Sequence, residues 1–167
     1  MTSAGLEAFN AADAEAARAQ VLSCAAVARW ADEVVSGRPY ARTEDALEAA
    51  RNAADPWSDE EIDSALARHP RIGERASGDD ADAAHSRREQ SGLGDLSGSV
   101  QERLRAGNRA YEERFGHVFL IRAAGRTAEE ILASLEERLE HDPATERRIA
   151  GEQLREIAVL RLEGELS

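Results

Sequence analysis

The sequence predicts an all-α fold, a bundle of about seven to eight helices without significant sheet. Alanine, leucine, glutamate and arginine dominate the composition, and all four have high helix propensity. Aromatic residues, which are enriched in strands, make up only 4% of the chain. Apolar residues recur at helical spacing behind residues that typically cap helices. No repeat or linker divides the chain, so residues 1–167 are interpreted as a single domain.

Composition and charge exclude several classes of function. The formal net charge of −12 argues against a nucleic-acid partner, because phosphate contacts need a basic face. The sequence contains no lysine, which excludes Schiff-base catalysis and lysine-anchored pyridoxal phosphate. No apolar run approaches the roughly 18 residues of a membrane span, so no membrane partner is expected.

Cysteine usage and the termini indicate a compartment. Cys24 is the only cysteine, so intrachain disulfides are impossible and a reducing compartment fits best. The N-terminus lacks a signal-peptide pattern, and the final tripeptide is not a peroxisomal signal. A cytoplasmic location is therefore expected.

The N-terminal third is predicted to be helical throughout. Asp13 is expected to cap a helix that ends at Leu22. The next helix carries apolar residues at helical spacing and ends at Gly37. Its core residues are Val27, Trp30, Ala31 and Val34. Thr43 is then a candidate cap for a helix over Glu44–Ala54.

A histidine turn follows the next predicted helix, which begins with the capping box of Ser58 and Glu61. The turn has the sequence Arg-His-Pro-Arg-Ile-Gly-Glu at positions 68–74. Pro70 disfavours helical geometry at His69, and Gly73 permits a tight reversal of the backbone. His69 is thus expected at a helix terminus with a fixed direction, which suits acid–base chemistry. The alternative is an ordinary surface histidine at a helix–loop junction.

A polar helix is predicted at about Ala83–Ser91. Ser86, Glu89 and Gln90 stand at i, i+3 and i+4 and therefore share one face. This face carries a hydroxyl, a carboxylate and an amide where an amphipathic helix would be apolar. Either the helix is a solvated surface helix or it lines a polar pocket, and the spacing does not decide between them.

Three further helices are predicted in the C-terminal half. Ser97 is expected to cap a helix over Val100–Phe115, with Leu104 and Tyr111 facing inward and Gly116 closing it. The apolar run at 118–121 is too short for a helix and is interpreted as a buried extended or 3₁₀ connector. Thr127 and Glu130 form another capping box, which opens a helix to Glu140, and Asp142-Pro143 starts the last helix.

The last helix carries an apolar stripe with an arginine at its edge. The predicted core positions are Ile149, Leu154, Ile157 and Leu160. Arg161 lies four residues beyond Ile157 and seven beyond Leu154. Either it extends its charge to the solvent, or its guanidinium faces inward and meets an anion.

Taken together, these motifs resemble the 2-oxo-4-hydroxy-4-carboxy-5-ureidoimidazoline (OHCU) decarboxylases of purine catabolism, which act after urate oxidation and produce (S)-allantoin. The most specific part is His-Pro-Arg-Ile-Gly at 69–73 combined with Ser-x-x-Glu-Gln at 86–90. The resemblance covers nearly the whole chain. Its other matching positions are Leu6–Asn10, Cys24, Trp30-Ala31, Arg38–Tyr40, Glu74, Ser91–Leu93, Tyr111 with Phe115-Gly116, Phe119–Ile121, Gly125-Arg126, Glu130–Leu132, Arg138-Leu139 and Leu160–Leu162.

The resemblance implies an all-helical homodimer that uses neither metal nor organic cofactor. His69 and Glu89 would form the acid–base pair. The residues that would contact the substrate are Pro70, Ser86, Gln90, Phe119, Ile121 and Arg161, with the backbone of 119–121 bonding the ureido or ring amide. Arg126 and Arg138 compete with Arg161 for the anion-binding role. The working hypothesis is that His69 hydrogen-bonds or deprotonates the substrate hydroxyl, while Glu89 orients it or donates the proton.

Three alternatives remain to be weighed against a decarboxylase. A metal hydrolase would use His69, His85, His117 and His141 with carboxylates, but no pair has the spacing of a metal motif. Nucleophilic catalysis by Cys24 lacks a base nearby in the sequence. An acidic helical interaction module without catalytic activity explains the composition. It does not explain why three polar side chains share a face beside a rigid histidine turn.

Overall fold

The computed structural model describes residues 2–72, 81–90 and 98–167, with the backbone alone at 81–83 and 86. Within these ranges it contains nine α-helices and no strand, which confirms the all-α prediction. The helices are α1 (Ala4–Ala11), α2 (Ala14–Leu22), α3 (Ala28–Ser36), α4 (Thr43–Asn52), α5 (Asp59–Leu66), α6 (Ala81–Gln90), α7 (Gly98–Phe115), α8 (Ala128–Arg138) and α9 (Pro143–Glu165). The additional helix is α1, which Ser3 caps. None of the described helices is long and apolar enough to cross a membrane.

Local capping signals correctly locate the starts of four helices. The Asp13 carboxylate accepts from the Ala16 N–H at 2.7 Å. The Ser58 and Thr127 capping boxes are both formed, each with reciprocal bonds between the hydroxyl residue and the glutamate three residues on. Asp142 accepts from the Thr145 N–H at 2.7 Å, and Pro143 opens α9. These contacts satisfy backbone donors that a helix start leaves unpaired.

Three predictions of local structure are wrong. Thr43 is the first residue of α4 rather than its cap; Arg42 holds the cap position and makes no side-chain capping bond. The helix stops at Asn52 rather than at Ala54, because Ala53 is extended, with a φ of −67° and a ψ of 136°, and Ala54 follows with a φ of 49°. In α9, Leu160 is 38% exposed and therefore does not belong to the core stripe that includes Leu154 and Ile157.

Other predicted helix boundaries differ from the structure by a few residues or lie outside the described residues. Helix α7 starts at Gly98, two residues before the predicted start, and α8 ends at Arg138 rather than at Glu140. Gly116 follows α7 with a φ of +78°, as a residue that closes a helix requires. The predicted cap Ser97 and the reversal at Gly73 lie outside the described residues.

The helices form two compact units, one made of Met1–Glu61 with Arg155–Ser167 and the other of Ile62–Leu154. Whether the whole chain is one domain stays a prediction. In the first unit, Trp30 is fully buried, donates from its indole N–H to the Ala50 carbonyl at 2.9 Å, and packs edge-on against Trp57. Cys24 is buried as a small apolar residue, as predicted.

Arg155 closes the C-terminal end of α4 within this first unit. Its guanidinium donates to the carbonyls of Ala53 at 2.6 Å and Ala54 at 2.8 Å, and more weakly to Ala50 at 3.1 Å. The same group lies over the Trp57 ring, 5.0 Å from its centroid. Burial lowers the pKa of Arg155 below its usual value.

Replacing Arg155 with Met should therefore destabilise the protein, because the carbonyls at the end of α4 and just beyond it lose a charged donor. We expect a loss of about 2–3 kcal/mol in the free energy of unfolding, measured by urea denaturation. Arg148→Met, on the same helix, is the matched control, since Arg148 is exposed and forms an exposed ion pair with Glu152. Equal losses from both variants would contradict this role for Arg155.

The second unit has a core built between α7 and α8. Its fully buried members include Tyr111, Phe119, Ile131 and Leu135. Gly107 allows the two helices to approach closely, because a Cβ atom there would lie only 2.5 Å from a methyl carbon of Leu135. Leu104 and Tyr111 face inward, as predicted, and the buried connector at 118–121 adds Phe119 and Ile121 to the same core.

Candidate active site

His69 occupies the position that the sequence predicts, just beyond the end of α5. The helix ends at Leu66, and the backbone N–H of His69 donates to the Leu66 carbonyl at 3.1 Å. The side chains of His69 and Pro70 are both half-buried. The imidazole is therefore held at a helix exit, partly screened from water and still accessible.

The residues after Pro70 are attached to α7, which restricts the histidine turn further. The Nε atom of Arg71 lies 2.9 and 3.1 Å from the two carboxylate oxygens of Glu112. Asn108, only 5% exposed, donates from Nδ2 to the Ile72 carbonyl at 3.0 Å. Neither anchor is predictable from the sequence, because no local pattern joins positions 36 or 41 residues apart.

Helix α6 carries the predicted polar residues. Glu89 and Gln90 are half-buried, so this face of the helix is not fully solvated. His85, a turn earlier, is 4% exposed, and its Nδ1 lies 2.7 Å from the Arg88 guanidinium. Ser86 belongs to the helix, but its side chain lies outside the described part of the structure.

The connector at 118–121 is non-helical and buried, as predicted. Phe119, Leu120 and Ile121 are at most 4% exposed. The Leu120 carbonyl accepts from Arg138 at 2.7 Å, and the next peptide N–H, that of Arg122, donates to the Gln153 side chain at 2.9 Å. No hydrogen bond is found within the described ranges for the backbone N–H groups of Phe119 and Ile121. Buried N–H groups are rarely left unpaired in proteins, so these two are candidates for ligand contacts.

A buried ionic network lies behind this connector. Glu146, which is fully buried, accepts from the Tyr111 hydroxyl at 2.5 Å and from the Arg138 Nε at 2.7 Å. Its second oxygen lies 2.9 Å from Nδ1 of His141. Arg138 is only 4% exposed, and its guanidinium also lies over the Phe119 ring, 4.6 Å from the centroid. The network thus joins α7, α8 and α9 to the connector.

The electrostatics of this network are consistent with an ionised carboxylate. Burial alone would raise the pKa of Glu146, but hydrogen bonds from Arg138, Tyr111 and His141 outweigh it and lower the pKa below its usual value. Burial, together with the hydrogen bond to Glu146, raises the pKa of Tyr111 well above that of a free phenol. The hydroxyl therefore stays protonated and donates.

The three arginines that are candidates for anion binding differ in the contacts that they make. The guanidinium of Arg138 is held by Glu146 and the Leu120 carbonyl, and this use inside the protein argues against a direct substrate role. Arg126 is half-buried and donates from Nε to the Arg122 carbonyl at 2.9 Å. Arg161 faces inward, with 4% exposure, and lies 3.4 Å from the Cys24 carbonyl.

The predicted site residues fall mostly into one unit. The second unit holds His69, Pro70, Ser86, Glu89, Gln90, Phe119 and Ile121, whereas Arg161 belongs to the first. Three or more potential metal ligands of the His, Cys, Asp or Glu type do not gather anywhere in the described part of the chain. Within the described ranges the fold is all-helical, and the second unit holds a half-buried histidine, a half-buried glutamate and two buried peptide N–H groups that lack a hydrogen-bond partner among those residues.

Comparison with known proteins identifies the family. The sequence model of the OHCU decarboxylase family matches residues 10–163. A 2-oxo-4-hydroxy-4-carboxy-5-ureidoimidazoline decarboxylase of Haloferax volcanii is 32% identical over 79% of this chain and 77% of its own length. One from Amia calva is 36% identical over 78% of this chain and 75% of its own length. The chain therefore belongs to the OHCU decarboxylase family.

One solved structure agrees with this assignment, and a second shares the fold. An OHCU decarboxylase crystallised in the presence of (S)-allantoin has a TM-score of 0.67 and 29% identity, covering 83% of this chain and 91% of its own. An (S)-allantoin synthase with 19% identity shares the fold, with a TM-score of 0.71 over 96% of this chain and 54% of its own.

Proposed function

We propose that this chain is a carboxy-lyase that converts OHCU to (S)-allantoin and CO₂ in urate degradation. The observation that supports it best, beside family membership, is the content of the second unit. That unit holds a half-buried histidine on an anchored turn, a half-buried glutamate and a buried connector. Two N–H groups of the connector have no hydrogen-bond partner in the part of the chain that the structure describes. Such groups are suited to bind a small polar ring and to move protons on it.

The proposed reaction requires only proton transfer and a fixed orientation of the substrate. The substrate carries its carboxylate on a carbon next to a ring C=N. When CO₂ leaves, the electron pair of the broken C–C bond forms a C=C bond with the neighbouring carbon, and the C=N electrons move to nitrogen, which takes up a proton. The resulting enol becomes a carbonyl when its hydroxyl proton is lost and a proton is added to carbon. Proton addition from one face gives one enantiomer, whereas the uncatalysed reaction gives a racemate.

His69 and Glu89 supply the acid–base chemistry in this proposal. His69 hydrogen-bonds or deprotonates the substrate hydroxyl, and Glu89 orients the substrate or donates the proton. Two titratable groups of different type allow one to accept a proton while the other donates. The half-buried positions of both side chains support these roles, because partial exclusion of water strengthens their interaction with a bound ligand.

The remaining predicted residues bind and orient the ring. Ser86 and Gln90 hydrogen-bond the substrate from α6, and Pro70 packs against it beside His69. The connector offers the backbone of Phe119 and Ile121 to the ureido or ring amide. Arg161 is proposed to bind the carboxylate or a ring oxygen by paired hydrogen bonds, with Arg126 as the competing candidate. Separate substitution of Arg161 and Arg126 by Gln tests which of them raises the KM.

A direct assay tests the proposed activity. OHCU is generated in place by urate oxidation, and its conversion is followed by circular dichroism with and without the protein. A catalyst rapidly produces dextrorotatory allantoin, whereas the alternative, an acidic helical interaction module, leaves the slow spontaneous reaction unchanged. A dichroism trace identical to that of the protein-free reaction would rule out the decarboxylase.

The assembly and compartment are also proposals. We infer a homodimer and a cytoplasmic location, as the family resemblance and the single cysteine suggest. Light scattering on the purified chain measures the mass in solution. A mass close to 18.1 kDa would contradict the dimer.

A further inference from the structure

Each of the two peptide groups that flank Ile121 is hydrogen-bonded by a side chain, that of Arg138 or that of Gln153. The peptide bonds here are trans, since the described chain has cis bonds only before Pro39 and Pro56. In a trans peptide the C=O of one residue and the N–H of the next point in opposite directions. Fixing one of these groups therefore fixes the direction of the other.

Arg138 holds the first of these peptides. It donates to the Leu120 carbonyl at 2.7 Å, so the N–H of Ile121 points away from Arg138. Gln153 holds the second by accepting from the Arg122 N–H at 2.9 Å, so the Ile121 carbonyl points away from Gln153. Neither the N–H nor the C=O of Ile121 has a hydrogen-bond partner among the residues that the structure describes.

Arg138 is itself held rigidly. The Glu146 carboxylate lies 2.7 Å from its Nε and 2.6 Å from its NH2, and is in turn bonded by Tyr111. An arginine used in this way is a rigid support, because its planar fork allows one orientation when two sides are bonded. The Tyr111 hydroxyl contacts Glu146 but not the connector. Removing it leaves the contacts of Arg138 with Glu146 and with the Leu120 carbonyl in place, so Tyr111→Phe is a suitable control.

We propose that Arg138 and Gln153 are positioning residues that orient the N–H and C=O of Ile121 toward a ligand with a complementary amide or ureide edge. The inference rests on the proposed function, in which the connector backbone binds the substrate. Neither residue touches the substrate; each fixes one peptide plane before the substrate arrives. Such preorganisation stabilises the bound geometry at no cost during turnover.

Kinetics with the full chain test this role. Arg138→Met and Gln153→Met should each raise the KM and lower kcat/KM for OHCU by about tenfold, and Arg138→Lys should fall between Arg138→Met and the wild type. Tyr111→Phe should change kcat/KM by less than about threefold. All variants are compared at a temperature at which circular dichroism shows them folded. Gln153→Met decides the outcome if Arg138→Met does not fold.

A spectroscopic readout separates positioning from a general structural role. In the wild type, the assigned amide resonance of Ile121 should shift on addition of (S)-allantoin, and both methionine variants should weaken that shift. Wild-type kinetics and an unchanged shift in Gln153→Met would overturn the proposal, as would an equal loss of activity in Tyr111→Phe. If the wild type does not turn over OHCU, the proposed function fails and this inference fails with it. If the wild type turns over OHCU and the variants do so equally well, only the positioning role is contradicted and the proposed function stands.

Discussion

Replacing His69 with Asn is expected to lower kcat/KM for OHCU by about 10²–10⁴-fold, the range that positioned acid–base groups contribute. Asn keeps a similar volume and some hydrogen-bonding capacity but cannot exchange a proton near neutral pH. The helical fold should persist, because the backbone bond from His69 to Leu66 and the ion pair of Arg71 with Glu112 do not involve the imidazole. The allantoin formed should approach a racemate.

His117→Asn is the matched control for this experiment. His117 is also half-buried in the second unit, but it follows α7 and is not among the proposed site residues. Activity and enantiomeric excess are measured by circular dichroism for both variants at equal protein concentration. Near-normal stereospecific turnover by His69→Asn would eliminate the acid–base role, and an equally large loss in His117→Asn would show that the effect is not specific to His69.

Much of the fold could be predicted from the sequence, because helix starts are local. Asp13, Ser58, Thr127 and Asp142 cap their helices through bonds that span only three residues. The predicted helix start is wrong where a local capping signal competes with the conformation of the surrounding chain. Thr43 resembles a cap, but the chain enters helical geometry one residue earlier, which leaves Arg42 in the cap position.

The candidate site was predicted only in part, for the same physical reason. The position of His69 after α5 follows from a local proline rule, and the polar face of α6 follows from helical spacing. The sequence allows Arg138 as a substrate-binding arginine, whereas in the structure its guanidinium is bonded to Glu146 and to the Leu120 carbonyl. The Leu120 bond spans 18 positions, and no periodicity in the sequence indicates it.

Replacing Glu146 with Gln is expected to cause the largest loss of stability, about 3–5 kcal/mol at neutral pH. Gln keeps the shape of the side chain but removes the charge, so Arg138 is left buried without a counter-ion. The control is Glu152→Gln on the same helix, where the exposed ion pair with Arg148 should contribute less than about 1 kcal/mol. Urea denaturation measures both free energies of unfolding.

The pH dependence of the Glu146→Gln difference provides a second test. Because the pKa of Glu146 is lower in the folded state than in the unfolded state, its charge stabilises the fold fully above the unfolded value of about 4.3. That contribution is lost as the pH falls through the lower folded-state pKa. The gap between wild type and Glu146→Gln should therefore narrow as the pH falls below the unfolded-state value of about 4.3. A gap that keeps widening in this acidic range would show that Arg138 does not hold the carboxylate ionised.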